Sequence, residues 1–182
     1  MQLSGKYCTV AVVWRDDLGA VPVRVEVLVV GVRDATVHYR RVCAALPRDT
    51  HPDAAAAGLA APARGVQRDG PHPGWAPLTL LHSTSWRFDA GAVVLTYLAV
   101  LDGTAAADSA PLVSRALAHS GDPAAPSPAQ VPVDAVAAHA LRHLAWLRER
   151  DEVAAAALAG VPALWDALDD VTPAPAGALS AA

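Results

Sequence analysis

The sequence predicts a single α+β domain in which a mostly antiparallel, mixed sheet packs against C-terminal helices. β-branched apolar runs dominate the first 101 residues, stretches rich in Pro and Gly separate them, and the C-terminal third has apolar residues at helical spacing. A chain of 182 residues can form one domain with a full core but is short for two. We therefore expect residues 1–171 to form the domain and residues 172–182, rich in Pro and Ala, to form a disordered tail.

The N-terminal part predicts a meander of three strands. "YCTVAVVW" (7–14) and "VPVRVEVLVVGV" (21–32) are β-branched runs that flank "RDDLGA", whose Asp-Asp-x-Gly order favours a turn. These two runs predict a hairpin. A third strand, "TVHYRRVC" (36–43), follows a turn at Arg33 and Asp34.

A short helix and a loop are predicted next. Residues 49–61 are rich in alanine, with Asp49 or Thr50 as the expected N-cap and Pro62 as the expected stop. Residues 62–77 hold enough Pro and Gly to predict a loop.

A second hairpin is predicted from "LTLLHSTSWRF" (78–88), the turn "DAG" (89–91) and "AVVLTYLAVL" (92–101). Residues 92–101 are apolar on both faces, which is typical of a strand inside a sheet that is covered on both sides. Residues 110–119 could form either a strand or a short helix, and residues 120–132 predict a loop.

Three helices are predicted at the C-terminal end. Residues 133–150 carry a core stripe of apolar residues at helical spacing. Residues 151–160 and 161–171 predict two shorter helices, with Gly160 as a C-cap and Pro162 in a first turn.

Composition and charge indicate which partners and which cellular compartment to expect. A formal net charge of −4 and no clustered basic residues predict that the chain does not bind nucleic acid. No window approaches about 18 uninterrupted apolar residues, so we expect no membrane span. Cys8 and Cys43 lie in apolar β-rich segments, where a buried reduced thiol is usual, and no secretory signal is evident. We expect a cytoplasmic protein.

Residues 80–88, "LLHSTSWRF", interrupt an apolar run with polar side chains. Strand alternation would put His82, Thr84 and Trp86 on one face and Ser83, Ser85 and Arg87 on the other. The Ser-Ser-Arg face could hold a carboxylate or phosphate, because a guanidinium group offers two parallel hydrogen bonds. The alternative is an ordinary solvated strand face.

The helix 133–150 carries a second candidate group. His139, His143, Trp146 and Arg150 fall in one narrow stripe beside the apolar stripe. His-x3-His spacing can bind zinc, but a site needs a third ligand, and the metalloprotease motif needs a Glu after the first His, where this chain has Ala140. A half-buried helix edge is the alternative, and we expect no metal.

Several catalytic motifs are absent from the sequence. Glutamate occurs only at positions 26, 149 and 152, and there is no Gly-rich phosphate loop, Cys pair at metal spacing or Gly-x-Ser-x-Gly motif. We therefore expect a non-enzymatic domain, without a cofactor, that binds a small anionic molecule through Ser83, Ser85 and Arg87 or serves as an accessory domain. The His139, His143 and Trp146 stripe would line the ligand pocket.

Two alternative functions stay open. His82-Ser83-Thr84 matches the His-x-Thr element of two-histidine phosphoesterases, although no second element is present. A hydrolase or phosphoesterase would use His82 as the catalytic acid or base and Arg87 to hold the anion. A protein-interaction module would instead use the helical surface around Trp146 and Trp165 and could form a homodimer.

The order of the predicted elements resembles that of Nudix hydrolase domains over residues 7–158. The family's loop-helix-loop box carries glutamates that bind magnesium, whereas residues 49–65 here offer Asp49, Asp53 and Arg64 but no glutamate. The resemblance thus implies a Nudix-like fold without that chemistry. "HALRHLAWL" (139–147) and "HSTSWR" (82–87) also resemble segments of actinobacterial proteins, which implies no activity.

Overall fold

The computed structural model describes residues 21–61, 78–122, 124–125, 128 and 130–175. They form a five-stranded mixed sheet with four helices, three of them at the C-terminal end, which confirms the α+β class. The elements are β1 (Val23–Arg33), β2 (Thr36–Ala45), α1 (Pro52–Ala60), β3 (Leu80–Asp89), β4 (Ala92–Thr104), β5 (Ala110–Pro111), α2 (Val133–Arg150), α3 (Glu152–Leu158) and α4 (Pro162–Asp166).

The sheet has the strand order β3-β4-β1-β2-β5. β1 runs antiparallel to β2 and parallel to β4, while β3 and β4 form the predicted antiparallel hairpin. Both edges of β1 are therefore occupied along its length, and the predicted hairpin between residues 7–14 and 21–32 is wrong. Residues 7–14 themselves lie outside the described part of the chain.

Helices cover both faces of the sheet, which explains why β1 and β4 are apolar on both faces. One face, called the α2 face below, packs against α2, α3 and α4. The other, the α1 face, packs against Ala56 and Ala60 of α1, and the hydroxyl of Tyr97 donates to Oδ1 of Asp53 at 2.6 Å. The largest fully buried side chains of the α2 face are Leu28, Leu98, Leu141, Leu144, Leu158 and Leu164.

Two predicted helix ends differ from the structure. The N-cap of α1 is His51, whose Nδ1 accepts from the backbone N–H of Asp53 at 3.2 Å, because Pro52 occupies the first helical position. α3 ends at Leu158, and its C-cap is Ala159 and not Gly160, which is the next residue along the chain.

The remaining predicted segments have mixed outcomes. α2 matches the predicted helix 133–150, and the first part of segment 110–119 forms only the two-residue strand β5. The loop at residues 62–77 and the end of the tail, residues 176–182, lie outside the described residues, as does Cys8. Cys43 is free and exposed, so the expectation of a buried thiol is wrong there. In the described ranges, no helix has both the length and the apolar character needed to span a bilayer.

Candidate functional site

A β-bulge interrupts β3 within the polar stretch. Ser83 pairs with Tyr97 and Ser85 pairs with Thr96, so one extra residue of β3 lies between two consecutive positions of β4. That residue is Thr84, which is 5% exposed and whose hydroxyl donates to the carbonyl of Thr96 at 3.3 Å. The side-chain alternation of β3 therefore shifts by one residue at Thr84.

The bulge changes which side chains share a face. His82, Ser85 and Arg87 all lie on the α2 face, whereas Ser83 and Trp86 lie on the α1 face. The predicted division into His82, Thr84 and Trp86 against Ser83, Ser85 and Arg87 is wrong for this reason. The β4 residues opposite His82, Ser85 and Arg87 are Leu98, Thr96 and Val94, which alternate along that strand.

Arg87 binds a carboxylate of the chain itself. Its two terminal nitrogens donate to the two oxygens of Glu26 at 2.7 and 2.9 Å, and Nε of Arg41 donates to the same carboxylate at 2.5 Å. The hydroxyl of Thr96 donates to Glu26 at 3.1 Å and accepts from Arg87 at 3.0 Å. We call Glu26, Arg41, Arg87 and Thr96 the Glu26 cluster.

The charges of the Glu26 cluster hold one another in the ionised state. Glu26 is fully buried. Burial raises the pKa of Glu26, but the hydrogen bonds and charges of Arg87 and Arg41 outweigh it and leave this pKa below its ordinary value. The pKa of Arg87 is raised, chiefly by its hydrogen bond to Glu26. The guanidinium group of Arg87 is thus bound to Glu26 of the same chain. Ser83, Ser85 and Arg87 do not share one face, because Ser83 lies on the α1 face.

The structure brings together two histidine groups that the sequence predicts on separate elements. Nε2 of His82 on β3 lies 3.2 Å from Nε2 of His143 on α2, with ring centroids 5.3 Å apart. The indole of Trp146 stacks on the His143 ring, with centroids 5.7 Å apart and an interplanar angle of 14°. We call His82, His143 and Trp146 the histidine cluster.

The imidazoles of this region favour the neutral form. Burial lowers the pKa of His82 and outweighs the opposing charge of Asp151. Burial, with the neighbouring His82 and His139, lowers the pKa of His143, and burial with Arg142 lowers that of His139. At neutral pH, the contact between the two Nε2 atoms therefore requires one ring to donate and the other to accept, so the rings hold different tautomers.

The distance between the Nε2 atoms of His82 and His143 would suit two ligands of one metal ion. Two nitrogen ligands of a tetrahedral zinc ion, with bonds of about 2.0–2.1 Å, lie roughly 3.3 Å apart. However, within the part of the chain that the structure describes, no group of three or more His, Cys, Asp or Glu side chains could hold a metal ion. His139, one turn before His143 on α2, is not part of such a group.

The helical surface predicted around Trp146 and Trp165 is not a continuous exposed surface. Trp165 is only 9% exposed, its Nε1 donates to the carbonyl of Leu158 at 3.3 Å, and the guanidinium of Arg148 lies 4.2 Å from its ring centroid. Trp165 therefore belongs to the core, whereas Trp146 is half-buried beside His143.

His82, His143, Trp146 and Arg87 were predicted as candidate site residues from the sequence, whereas Glu26 was not. The available signal was a single acidic residue within a run of β-branched residues, "VRVEVLVV", because a buried carboxylate requires a cationic partner. Comparison of the chain with protein-family models, curated proteins and solved structures gave no match. The resemblance to Nudix domains stays a prediction.

Proposed function

We propose that the protein is a non-enzymatic binding or accessory domain that takes up a small molecule at the histidine cluster. The observation that carries this proposal is the contact between His82 and His143, which lie on different elements and 61 residues apart in the chain. Together with Trp146 they bring two imidazoles and an aromatic surface to one place, and a ligand that enters between the two rings would meet one Nε2–H donor and one Nε2 acceptor.

The chemistry of the cluster favours a small anionic ligand whose binding is coupled to proton uptake. An anion that accepts from an imidazole N–H stabilises the charged ring and raises its pKa. Because both imidazoles start neutral, the cluster would bind such a ligand more tightly as the pH falls. A metal ion would show the opposite trend, since it competes with protons for the ring nitrogens.

The test is a thermal-shift and calorimetric screen of phosphate, carboxylates, nucleotides and divalent metal ions. A ligand that binds the native state raises the melting temperature, and the shift is expected to be lost in His82→Ala and His143→Ala. His119→Ala removes an exposed histidine in the segment after β5 and is the matched control. A stabilisation that is equal in all four proteins would place binding elsewhere, and no stabilisation by any compound would contradict the proposal.

The alternative of a hydrolase or phosphoesterase stays a prediction. Two adjacent imidazoles could exchange a proton with a substrate, but Arg87 donates from both terminal nitrogens to Glu26. The anion-holding residue of that alternative would have to leave a buried ion pair, so the geometry favours the binding domain.

A further inference from the structure

The outer edge of β3 carries backbone groups that β4 does not use. Among the described strands, β3 pairs with β4 alone. Their hairpin closes through Ala90 and Gly91, with φ of 47° and 78°, as in a two-residue type I′ turn. In such a hairpin the hydrogen-bonded pairs alternate, beginning with the closing pair Asp89 and Ala92.

This alternation determines which residues of β3 direct their backbone N–H and C=O groups away from β4. The N–H of Val93 donates to the carbonyl of Pro22 at 2.9 Å, on the β1 side of β4, so the pair Phe88 and Val93 is not hydrogen-bonded. The backbone N–H and C=O of Phe88, and by the same alternation those of Trp86, therefore point away from β4.

The same two residues expose large aromatic side chains. Trp86 is 70% exposed and Phe88 is 65% exposed, and both lie on the α1 face. Their β4 neighbours, Leu95 and Val93, are only half-buried, so the four side chains form one apolar patch at the end of the sheet. Exposed aromatic residues on an unpaired strand edge are characteristic of interaction sites.

We infer that β3 pairs with β3 of a second copy of this chain, antiparallel, across a two-fold axis at Arg87. This register places Trp86 opposite the partner subunit's Phe88 twice, at the positions where the outward backbone groups can form hydrogen bonds. The edge has an aromatic residue on each side of Arg87, so the two-fold operation maps the pattern onto itself. Such self-complementarity is what a closed homodimer interface requires, and an unrelated strand would lack it.

The charged side chains of β3 on the α2 face do not prevent this pairing. Arg87 would lie opposite the partner's Arg87, but each guanidinium is already bound by both oxygens of Glu26. Ser85 would lie opposite the partner's Asp89, where a hydroxyl can donate to a carboxylate.

Sedimentation of the full chain over a concentration series tests the inference. The mass is expected to rise from 18.7 kDa towards twice that value over a series from about 1 to 500 µM, which covers micromolar dissociation constants. The double variant Trp86→Lys/Phe88→Lys is expected to stay monomeric with an unchanged circular dichroism spectrum. Val113→Lys/Val153→Lys, which changes two side chains 80% and 81% exposed elsewhere, is the matched control and should dimerise normally.

A cross-linking experiment tests the register and does not depend on the lysine variant. Trp86→Cys and Phe88→Cys are prepared with Cys8 and Cys43 replaced by Ser, and then oxidised separately and as a mixture. The mixture should give disulfide dimers, because residues 86 and 88 lie opposite each other, whereas each protein alone should give few. A wild-type monomer at every concentration overturns the inference, whatever else covers this edge. Dimerisation of the lysine variant, or equal cross-linking in all three samples, also overturns it.

Discussion

Removing the charge of Glu26 is expected to destabilise the domain by several kcal/mol. The carboxylate accepts four hydrogen bonds, three from Arg41 and Arg87 and one from Thr96. Glu26→Gln leaves one acceptor oxygen and turns an amide donor toward guanidinium donors. Breaking a buried ion pair costs about 3–5 kcal/mol. The Arg41 side chain is 39% exposed and can rehydrate, whereas that of Arg87 is only 16% exposed, so we expect about 3–4 kcal/mol.

Thermal and urea unfolding at neutral pH measure this loss. For a domain of this size it corresponds to a melting temperature lower by roughly 6–16 °C. Glu149→Gln changes an exposed glutamate on α2 and should alter the free energy of unfolding by less than about 0.5 kcal/mol. Glu26→Met/Arg87→Met, which removes both buried charges, is expected to be more stable than Glu26→Gln because it leaves fewer unpaired groups.

Two results would contradict this role of Glu26. A loss below about 1 kcal/mol in Glu26→Gln would show that the carboxylate is not the centre of the network. The second result concerns the pH dependence. Because the pKa of Glu26 is lowered on folding, its contribution is present above the unfolded value of about 4.3 and is lost as the pH falls through the folded value. The difference between wild type and Glu26→Gln should therefore be constant near pH 7 and shrink only in acid.

Two further predictions follow from the histidine cluster and from β1. The pKa values of His82, His139 and His143 are lowered on folding. The stability that the neutral rings contribute is therefore present above about pH 6.5 and is lost as the pH falls below it. The loss is at most about 1.4 kcal/mol per pH unit for each ring. Urea unfolding between about pH 5.5 and 7.5 should show this slope, and an equal slope in His143→Gln would contradict it. Gly31→Ala should cost about 1–3 kcal/mol, because its Cβ would lie 2.5 Å from the carbonyl of Thr104. Gly58→Ala in α1 meets nothing within 4 Å and should be neutral or slightly stabilising, and similar losses in both variants would refute the steric argument.

Local patterns in the sequence were sufficient to predict most of the elements. The hairpin of β3 and β4 has two runs of strand-forming residues around a turn that needs a positive φ at two positions, and Gly91 adopts one of them without a steric cost. The helix α2 has a continuous apolar stripe. The neighbours of β1 could not be predicted in the same way, because adjacency in sequence favours a hairpin with residues 7–14, whereas β1 pairs with β4 across more than sixty residues.

The candidate site depended even more on long-range contacts. His82 and His143 were each identified from their own element, but only the packing of α2 on the sheet brings their nitrogens to 3.2 Å. Glu26 and Arg87 were placed on separate strands without a predicted contact. The structure joins them through the order of three neighbouring strands, β3, β4 and β1.

The bulge at Thr84 explains how one strand serves both clusters. His82 and Arg87 are five residues apart, an odd spacing, which in a regular strand places two side chains on opposite faces. His82 must face the α2 side to meet His143, and Arg87 must face the same side to meet Glu26. One extra residue between them satisfies both requirements, and the hydroxyl of Thr84 donates to a backbone carbonyl of β4, which keeps its polar group paired in this buried position. The irregularity of β3 is therefore the feature that positions the histidine cluster next to the Glu26 cluster on a single face.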